Sequence, residues 1–400
     1  MNTPIRVTLL GFTVPDSMLQ EILEKDQNLP LQTHKFAWSL ARALRDGGAA
    51  VELLSALPVS NYPVMPKLWF GGRFFCHDGF RGRTLGFVNA VVLKHVTRTV
   101  ACLLPGWREI VRHRAQFIVV HGVHSPFLWF SLLLRRKDRK VVVVVTDPPG
   151  VVLARDGILV RFLKKLDRTI VKSALSRVDG VVALTQALID DYSPMVRGIV
   201  LPGFMDRHLE QSNMPSLSEK PVFDIAYAGG LFEQYGVGRL LDAVLNVRGV
   251  NVRLTIYGKG DLESRIKEVA TSNPRVRYGG VVAPKDLVAL LQSSDLLVNP
   301  RPSDQDFVRH SFPSKLIEYL ALGVPVLTTR LPGIPDSYLE QMYLIDDESA
   351  EGLRKSIEGV AALPLRDRVL RAKSAREFVF HAASESVHGA SLVRFLRSLN

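Results

Sequence analysis

Four hundred residues with 47% apolar and 22% charged side chains are enough for two or three domains and exclude a disordered chain. Two cysteines, Cys76 and Cys102, exclude a disulfide framework and suit a reducing compartment. The net charge of +12 is uneven: residues 1–200 hold 27 Lys and Arg against 15 Asp and Glu, and residues 201–400 hold 24 of each. Such an excess has nucleic acid, anionic lipid or a phosphorylated substrate as its usual partners, with a surface of solvated arginines as the plainer account.

The chain opens on MNTPIRVTLLGF, which reads as a first buried strand rather than a signal peptide. A helix (HKFAWSLARALRDGG) and a strand (AVELLSAL) follow. Then come the strand AQFIVVHG, a helix through FLWFSLLLRRK, the strand KVVVVVTD, a helix RFLKKLDRTIVKSALSR and the strand DGVVALT. Near-continuous Val/Ile/Leu runs separated by helices predict a parallel sheet covered on both faces. The longest apolar stretch, Leu85–Leu104, is interrupted by Lys94, His95 and Arg98 and should not span a bilayer. Residues 201–221 are polar and rich in Pro and Ser, and read as a linker.

The pattern then restarts. FDIAYAGG, VRLTIYGKG, VRYGGVV, DLLVNPR and VPVLTT are strands, each separated from the next by a helical segment. This predicts a second doubly wound α/β unit, and ligands of such units bind at the carboxyl ends of the strands. The tail from about Leu365 to Asn400 is helical and basic at its end. The domain reading is therefore 1–200, a linker 201–221, a second domain 222–375, and a terminal helix 376–400 that returns to the first.

The stretch from Asn299 to Tyr338 carries the chemistry. On a helix around Glu318, Leu316, Ile317, Leu320 and Ala321 share one arc, and Glu318 lies roughly 160° from its centre, free to face a cleft. Ser311, Phe312, Pro313 and Ser314 form the helix entrance, where either serine can cap and free N–H groups suit a diphosphate. Lys315 and Arg301 add full positive charge, the arginine as a two-pronged donor.

The second half resembles the nucleotide-binding domain of GT-B-fold retaining glycosyltransferases of family 4 (group 1), of the exopolysaccharide and capsule type. The resemblance rests on AYAGGLFEQYGVGRLLDAV, LTIYGKGDLES and SFPSKLIEYLALGVPVLTT; QTHKFAWSLARAL, LSALPVSNYP and DGVVALTQALIDDY extend it more weakly into the first half. It implies an α/β GT-B fold of two Rossmann-like domains facing a central cleft. It also implies a retaining, metal-independent hexosyltransferase without a cofactor. The donor would be a UDP- or GDP-sugar, and the acceptor a polyprenyl-diphosphate-linked or other glycan at the cytoplasmic face of the membrane. In that family a Glu-x7-Glu signature serves the donor. Its second glutamate, which grips the ribose, matches Glu318; its first, which contacts the sugar, falls on His310. Relatives place an arginine and a lysine after the first strand, where this chain has Leu231 and Tyr235, so Arg301 and Lys315 must supply the charge.

Glycines complete the donor side. Gly229 and Gly230 allow close approach to phosphates, and Gly258 and Gly260 pass under the nucleotide or form only a turn. On the acceptor side, Gly11 ends the first strand, His34 opens the following helix, and His121 and Asp147 end two later strands. His121, His310 and Glu318 are the residues proposed for the catalytic centre. Asp304-Gln305-Asp306 spells a DxD metal clamp that belongs to a different fold, and no HExxH, GxSxG, P-loop or Cys/His cluster exists.

Residues 67–115 interleave Trp69, Phe70, Phe74, Phe75, Phe80, Phe87 and Trp107 with cations. That mixture suits peripheral contact with anionic lipid, with single-stranded nucleic acid and an ordinary basic-faced core as alternatives. Two other functions remain in contention at this level: a GT-B nucleotide-sugar epimerase, and a non-enzymatic basic membrane- or nucleic-acid-binding protein.

Overall fold

A computed structural model describes residues 4–26, 31–91, 93–150 and 157–400. Met1–Thr3, the start of the segment read as the first strand, lie outside them. The chain divides into two compact units, one of Met1–Pro202 with Glu385–Asn400 and the other of Gly203–Ser384. Among the described residues no helix is long and apolar enough to cross a membrane.

The first unit carries β1 (Arg6–Gly11), β2 (Ala50–Ser55), β3 (Trp69–Phe70), β4 (Phe74–His77), β5 (Phe80–Thr84), β6 (Phe87–Val88), β7 (Phe117–His121), β8 (Lys140–Val145), β9 (Gly180–Ala183) and β10 (Gly198–Val200). Eight of them form one sheet in the order β10-β9-β8-β7-β1-β2-β5-β4, parallel except for the edge pair β4–β5. Every residue of β7 is buried, as is each valine of β8, because helices cover both sheet faces. The hairpin β4–β5 and the ribbon β3–β6 have no counterpart in the sequence reading. Two-residue strands leave no alternation to detect.

The terminal helix Glu385–Arg397 packs on helix Leu31–Asp46. The crossing is backbone to backbone: a Cβ on Gly389 would stand 2.1 Å from the Ala43 carbonyl, and one on Gly47 would stand 2.3 Å from that of Gly389. Arg42 Nε donates to both Glu385 oxygens, at 2.9 and 3.1 Å, which fixes the register.

The second unit has a six-stranded, wholly parallel sheet. Its strands are β11 (Phe223–Ala228), β12 (Val252–Tyr257), β13 (Val276–Gly280), β14 (Leu296–Asn299), β15 (Val326–Thr329) and β16 (Tyr343–Ile345), in the order β13-β12-β11-β14-β15-β16. Residues 203–221, read above as linker, belong to this unit and hold a helical turn, Arg207–Glu210, with Leu209 buried. The tail forms two helices, Leu365–Ala382 and Glu385–Arg397, and the units divide between them.

The Gly–Gly crossing is testable. Gly389→Ala must push the terminal helix off helix 31–46 and should cost the first unit about 1–3 kcal/mol in urea unfolding. Gly359, in helix 350–362 with nothing within 4 Å of a built Cβ, is the control. Gly359→Ala should stabilise by about 0.5–1 kcal/mol. Equal effects of the two would refute the crossing.

Candidate active site

The order of the central parallel strands reverses between β1 and β7 in the first sheet and between β11 and β14 in the second. Strand ends at such a reversal leave a crevice, because the connections depart to opposite faces. Gly11 and His121 lie at the first reversal, and Gly229, Gly230 and Arg301 at the second.

In the second unit Gly229 and Gly230 follow β11, and Arg301 lies just beyond β14. β11 pairs with β14 only through Ile225 and Ala226, so Ala228 has no ladder partner on that side. Tyr319 replaces it. Its fully buried hydroxyl accepts from the Ala228 N–H at 2.8 Å and donates to the Ala228 carbonyl at 3.1 Å. Burial pushes that hydroxyl far up from the usual tyrosine range, so it stays protonated. Tyr227 Oη donates to the Gly230 carbonyl at 2.9 Å and fixes the next turn. Gly258, at φ +133°, lets its loop close on this turn, since a Cβ there would lie 1.9 Å from the Gly229 carbonyl oxygen. Gly258 and Gly260 therefore pack on the backbone of residues 229–231.

Arg301 lies over the ring of Tyr235, 4.6 Å from its centroid, and near Phe307 at 5.4 Å. It forms no ion pair or hydrogen bond among the described residues, and its buried Nε lacks a partner. Burial lowers its pKa, yet a guanidinium stays charged. The cation absent from position 235 is thus delivered onto the Tyr235 ring from another loop. Leu231 is wholly buried in the core.

Helix Ser314–Ala321 begins beside this loop. Neither serine caps it: the N-cap is Pro313, and no side chain bonds to the first turn. This corrects the expectation of a serine cap and leaves donors of the first turn open to an anion. Ser311 Oγ is buried without a partner. Phe312 is buried against Tyr338, 5.3 Å between centroids, so its side chain anchors the loop rather than facing a ligand. His310 ends the short turn Val308–His310. Lys315 Nζ and Glu318 Oε2 form an ion pair at 3.0 Å, so the proposed phosphate cation and ribose carboxylate hold each other.

In the first unit Gly11 and His121 end the neighbouring strands β1 and β7, and Asp147 lies exposed just beyond β8. A Cβ on Gly11 would stand 3.2 Å from that of His121. Phe36 stacks on the His121 ring at 5.4 Å. Neither His121 nitrogen has a partner, and burial lowers its pKa from 6.5 to about 4, so it is neutral near pH 7. His34 Nε2 lies 2.9 Å from Asp16 Oδ1, and Thr146 donates to Asp147 at 2.9 Å. Among the described residues no group of three or more acidic, His or Cys side chains could hold a metal ion.

Residues 222–362 match the family model of glycosyl transferases group 1. The matched segment lies wholly within the second unit. Curated relatives agree. A putative colanic acid biosynthesis glycosyltransferase of Escherichia coli K12 is 25% identical over 200 residues, 47% of this chain and 49% of that protein. A GDP-mannose-dependent alpha-(1-6)-phosphatidylinositol dimannoside mannosyltransferase of Mycobacterium tuberculosis is 26% identical over 167 residues, 41% and 42% of the two chains. The matches thus span less than half of these relatives. Among solved structures, sucrose-phosphate synthase of Thermosynechococcus elongatus superposes with a TM-score of 0.66 over 99% of both chains at 15% identity. The fold of the chain, shared with that structure, is GT-B.

Sequence reasoning missed Tyr319, Tyr227 and Phe36. A lone tyrosine or phenylalanine on a helix or strand gives no signal until its partner is known.

Two predictions follow from these contacts. Tyr319→Phe leaves the Ala228 N–H and carbonyl buried without partners. It should destabilise the second unit by about 1–3 kcal/mol, and an unchanged urea midpoint would show that water replaces the hydroxyl. His121 has a folded pKa below its unfolded one. As pH falls from about 6.5 to about 4 the unfolded state takes up a proton that the folded state refuses, so stability is lost across that window and is intact above it. His121→Leu should reduce this loss by about 3 kcal/mol; parallel pH–stability curves for variant and wild type would rule the assignment out.

Proposed function

We propose that the chain is a retaining hexosyltransferase that moves a sugar from a UDP- or GDP-linked donor to a glycan on a polyprenyl-diphosphate or similar lipid carrier. On this reading it works without a metal, at the cytoplasmic face of the membrane. The observation that carries the proposal is the grouping beyond β11 and β14: an uncapped helix N-terminus, a guanidinium without a carboxylate, and a glutamate on the same helix. The first two suit a diphosphate and the third suits ribose hydroxyls.

In the proposed reaction the donor diphosphate lies against the first turn of helix 314–321, with Arg301 on its oxygens. Lys315 leaves Glu318 for the phosphates, and Glu318 turns to the ribose. Charge that builds on the leaving diphosphate is met by donors already in place, which lowers the barrier without reorganisation. Retention, implied by the resemblance, has the acceptor attack on the face from which the diphosphate departs. The departing phosphate takes the acceptor proton, so no side-chain base is needed. His310 contacts the transferred sugar, and His121, as a neutral imidazole, accepts or donates a hydrogen bond on the acceptor side. The basic first half holds the enzyme at the lipid surface. Relatives named for colanic acid biosynthesis and for a phosphatidylinositol mannoside substrate support a surface glycan as product class.

Thermal stabilisation and titration with UDP, GDP and ADP test the donor site. Saturating ligand at about 100 times Kd should contribute on the order of 2.7 kcal/mol. Arg301→Ala should weaken the preferred diphosphate by about tenfold or more. Glu318→Ala should weaken the nucleoside diphosphate but spare inorganic pyrophosphate, which has no ribose. Indifference of wild type to all three nucleotides, or equal loss of pyrophosphate in the Glu318 variant, would count against the assignment.

A further inference from the structure

The first unit exposes two apolar stripes on neighbouring helices. Helix Ile158–Leu175 turns Val171, Ala174 and Leu175 to the core. Its outer side presents Ile158, Phe162, Leu166 and Ile170, one every fourth residue, with Ile158 89% and Phe162 63% exposed. An amphipathic helix that packs by one side only has no reason to carry four large apolar residues on another. The same helix has five cations and one carboxylate, a net of +4, and the carboxylate, Asp167, is taken by Ser125. At about 100° per residue Lys165, Arg168 and Lys172 fall between the apolar stripe and the core side, on one flank.

The second stripe runs along helices Leu93–Ala101 and Trp107–His113, joined by a π-helical turn, Cys102–Gly106. Leu93, Val96, Val100, Leu104, Trp107 and Val111 recur every three or four residues and are all exposed. Helix Ser125–Leu133 packs against both helix 93–101 and helix 158–175, so the two stripes belong to one helical layer.

We propose that this layer is the element that docks on an anionic bilayer, with the stripes entering the headgroup–acyl boundary and the cations of helix 158–175 on lipid phosphates. Apolar residues flanked by Lys and Arg on helices that lie flat are what an interface between water and acyl chains selects. Charge decides the occupant: an apolar protein partner would have no use for the cations along the flank. The inference rests on the membrane reading above and names its surface; it does not depend on the donor site.

Co-sedimentation with vesicles of phosphatidylcholine, with and without phosphatidylglycerol, tests it on the full chain. The wild type should pellet with the anionic vesicles, less with neutral ones, and less at high salt. Phe162→Glu with Leu166→Glu alters exposed positions only, so melting should be unchanged while the partition coefficient falls on the order of tenfold or more. Wild-type vesicle binding that survives the double substitution would overturn the proposal, as would no binding at all. A lipid-free dimer that the same substitution dissolves would overturn it in favour of self-association. Nucleoside diphosphate titration of the same variant separates the two readings. Retained nucleotide binding with lost lipid binding supports both, and vesicle binding without any nucleotide binding leaves only the donor assignment refuted.

Discussion

The hydrogen bonds between Tyr319 and Ala228 fix the point on which the second unit turns. β11 and β14 lie side by side where the sheet reverses its order, and their ladder stops at Ala226 and Leu297, short of the end of either strand. Ala228, the last residue of β11, is left without a partner on that side and is followed at once by Gly229 and Gly230. Buried backbone groups need partners, and a phenol that both accepts and donates serves two of them at once. Because Tyr319 follows Glu318 on the same helix, the bond that completes the strand also sets where the glutamate and Lys315 stand. The close backbone contact between Gly258 and Gly229 closes the other side, and a Cβ on Gly236 would stand 1.9 Å from the Pro300 carbonyl. Three loops thus meet with no side chain between their backbones.

This frame explains why the cations differ in company. Lys315 reaches Glu318 within one helical turn and is neutralised there. Arg301 is held over an aromatic face instead, and its buried Nε finds no acceptor. A ring face attracts a guanidinium without consuming its hydrogen-bond donors. Arg301 is therefore oriented while its donors remain unspent, as the proposed phosphate site requires. The Tyr235 that departs from the family pattern is part of that arrangement. It gives up a charge and becomes the platform for another.

Much of the architecture was legible in the sequence because it is local. Runs such as VVVVV between amphipathic helices leave little choice but a buried parallel strand, and the observed β8 is that run. Glu318 was legible as well, since its position opposite Leu316, Ile317, Leu320 and Ala321 follows from helical geometry. What escaped depends on contacts far apart in the chain. Tyr319 and Ala228 are separated by 91 residues, and Gly389 meets the Ala43 carbonyl from the opposite end of the sequence. The serine cap failed for a different reason. Two serines flank Pro313, but the proline takes the N-cap position, so residue type alone named the wrong residue.

In the first unit an aromatic and basic composition turns out to be largely internal packing. In residues 67–115, Phe70, Phe80 and Phe87 are core residues, and Lys94 and Arg98 are buried with them. Arg98 lies 4.2 Å from the Phe87 ring centroid, Lys94 Nζ bonds to the Val59 carbonyl, and burial lowers the Lys94 pKa to about 8. Much of the cation–aromatic interleaving in that stretch is therefore internal packing, in which rings and carbonyls take the place of water around the charges. Only Trp69, Phe74 and Trp107 of those aromatics reach the surface as large exposed rings. The large exposed apolar side chains of this unit recur instead along helices 93–113, inside that stretch, and along helix 158–175, outside it. Periodicity separates the two cases: on helix 158–175 the four-residue recurrence of Ile158, Phe162, Leu166 and Ile170 starts on the side away from Val171 and Leu175 and winds toward the core, so exposure falls along it from 89% at Ile158 to 37% at Ile170 before Ala174 is buried.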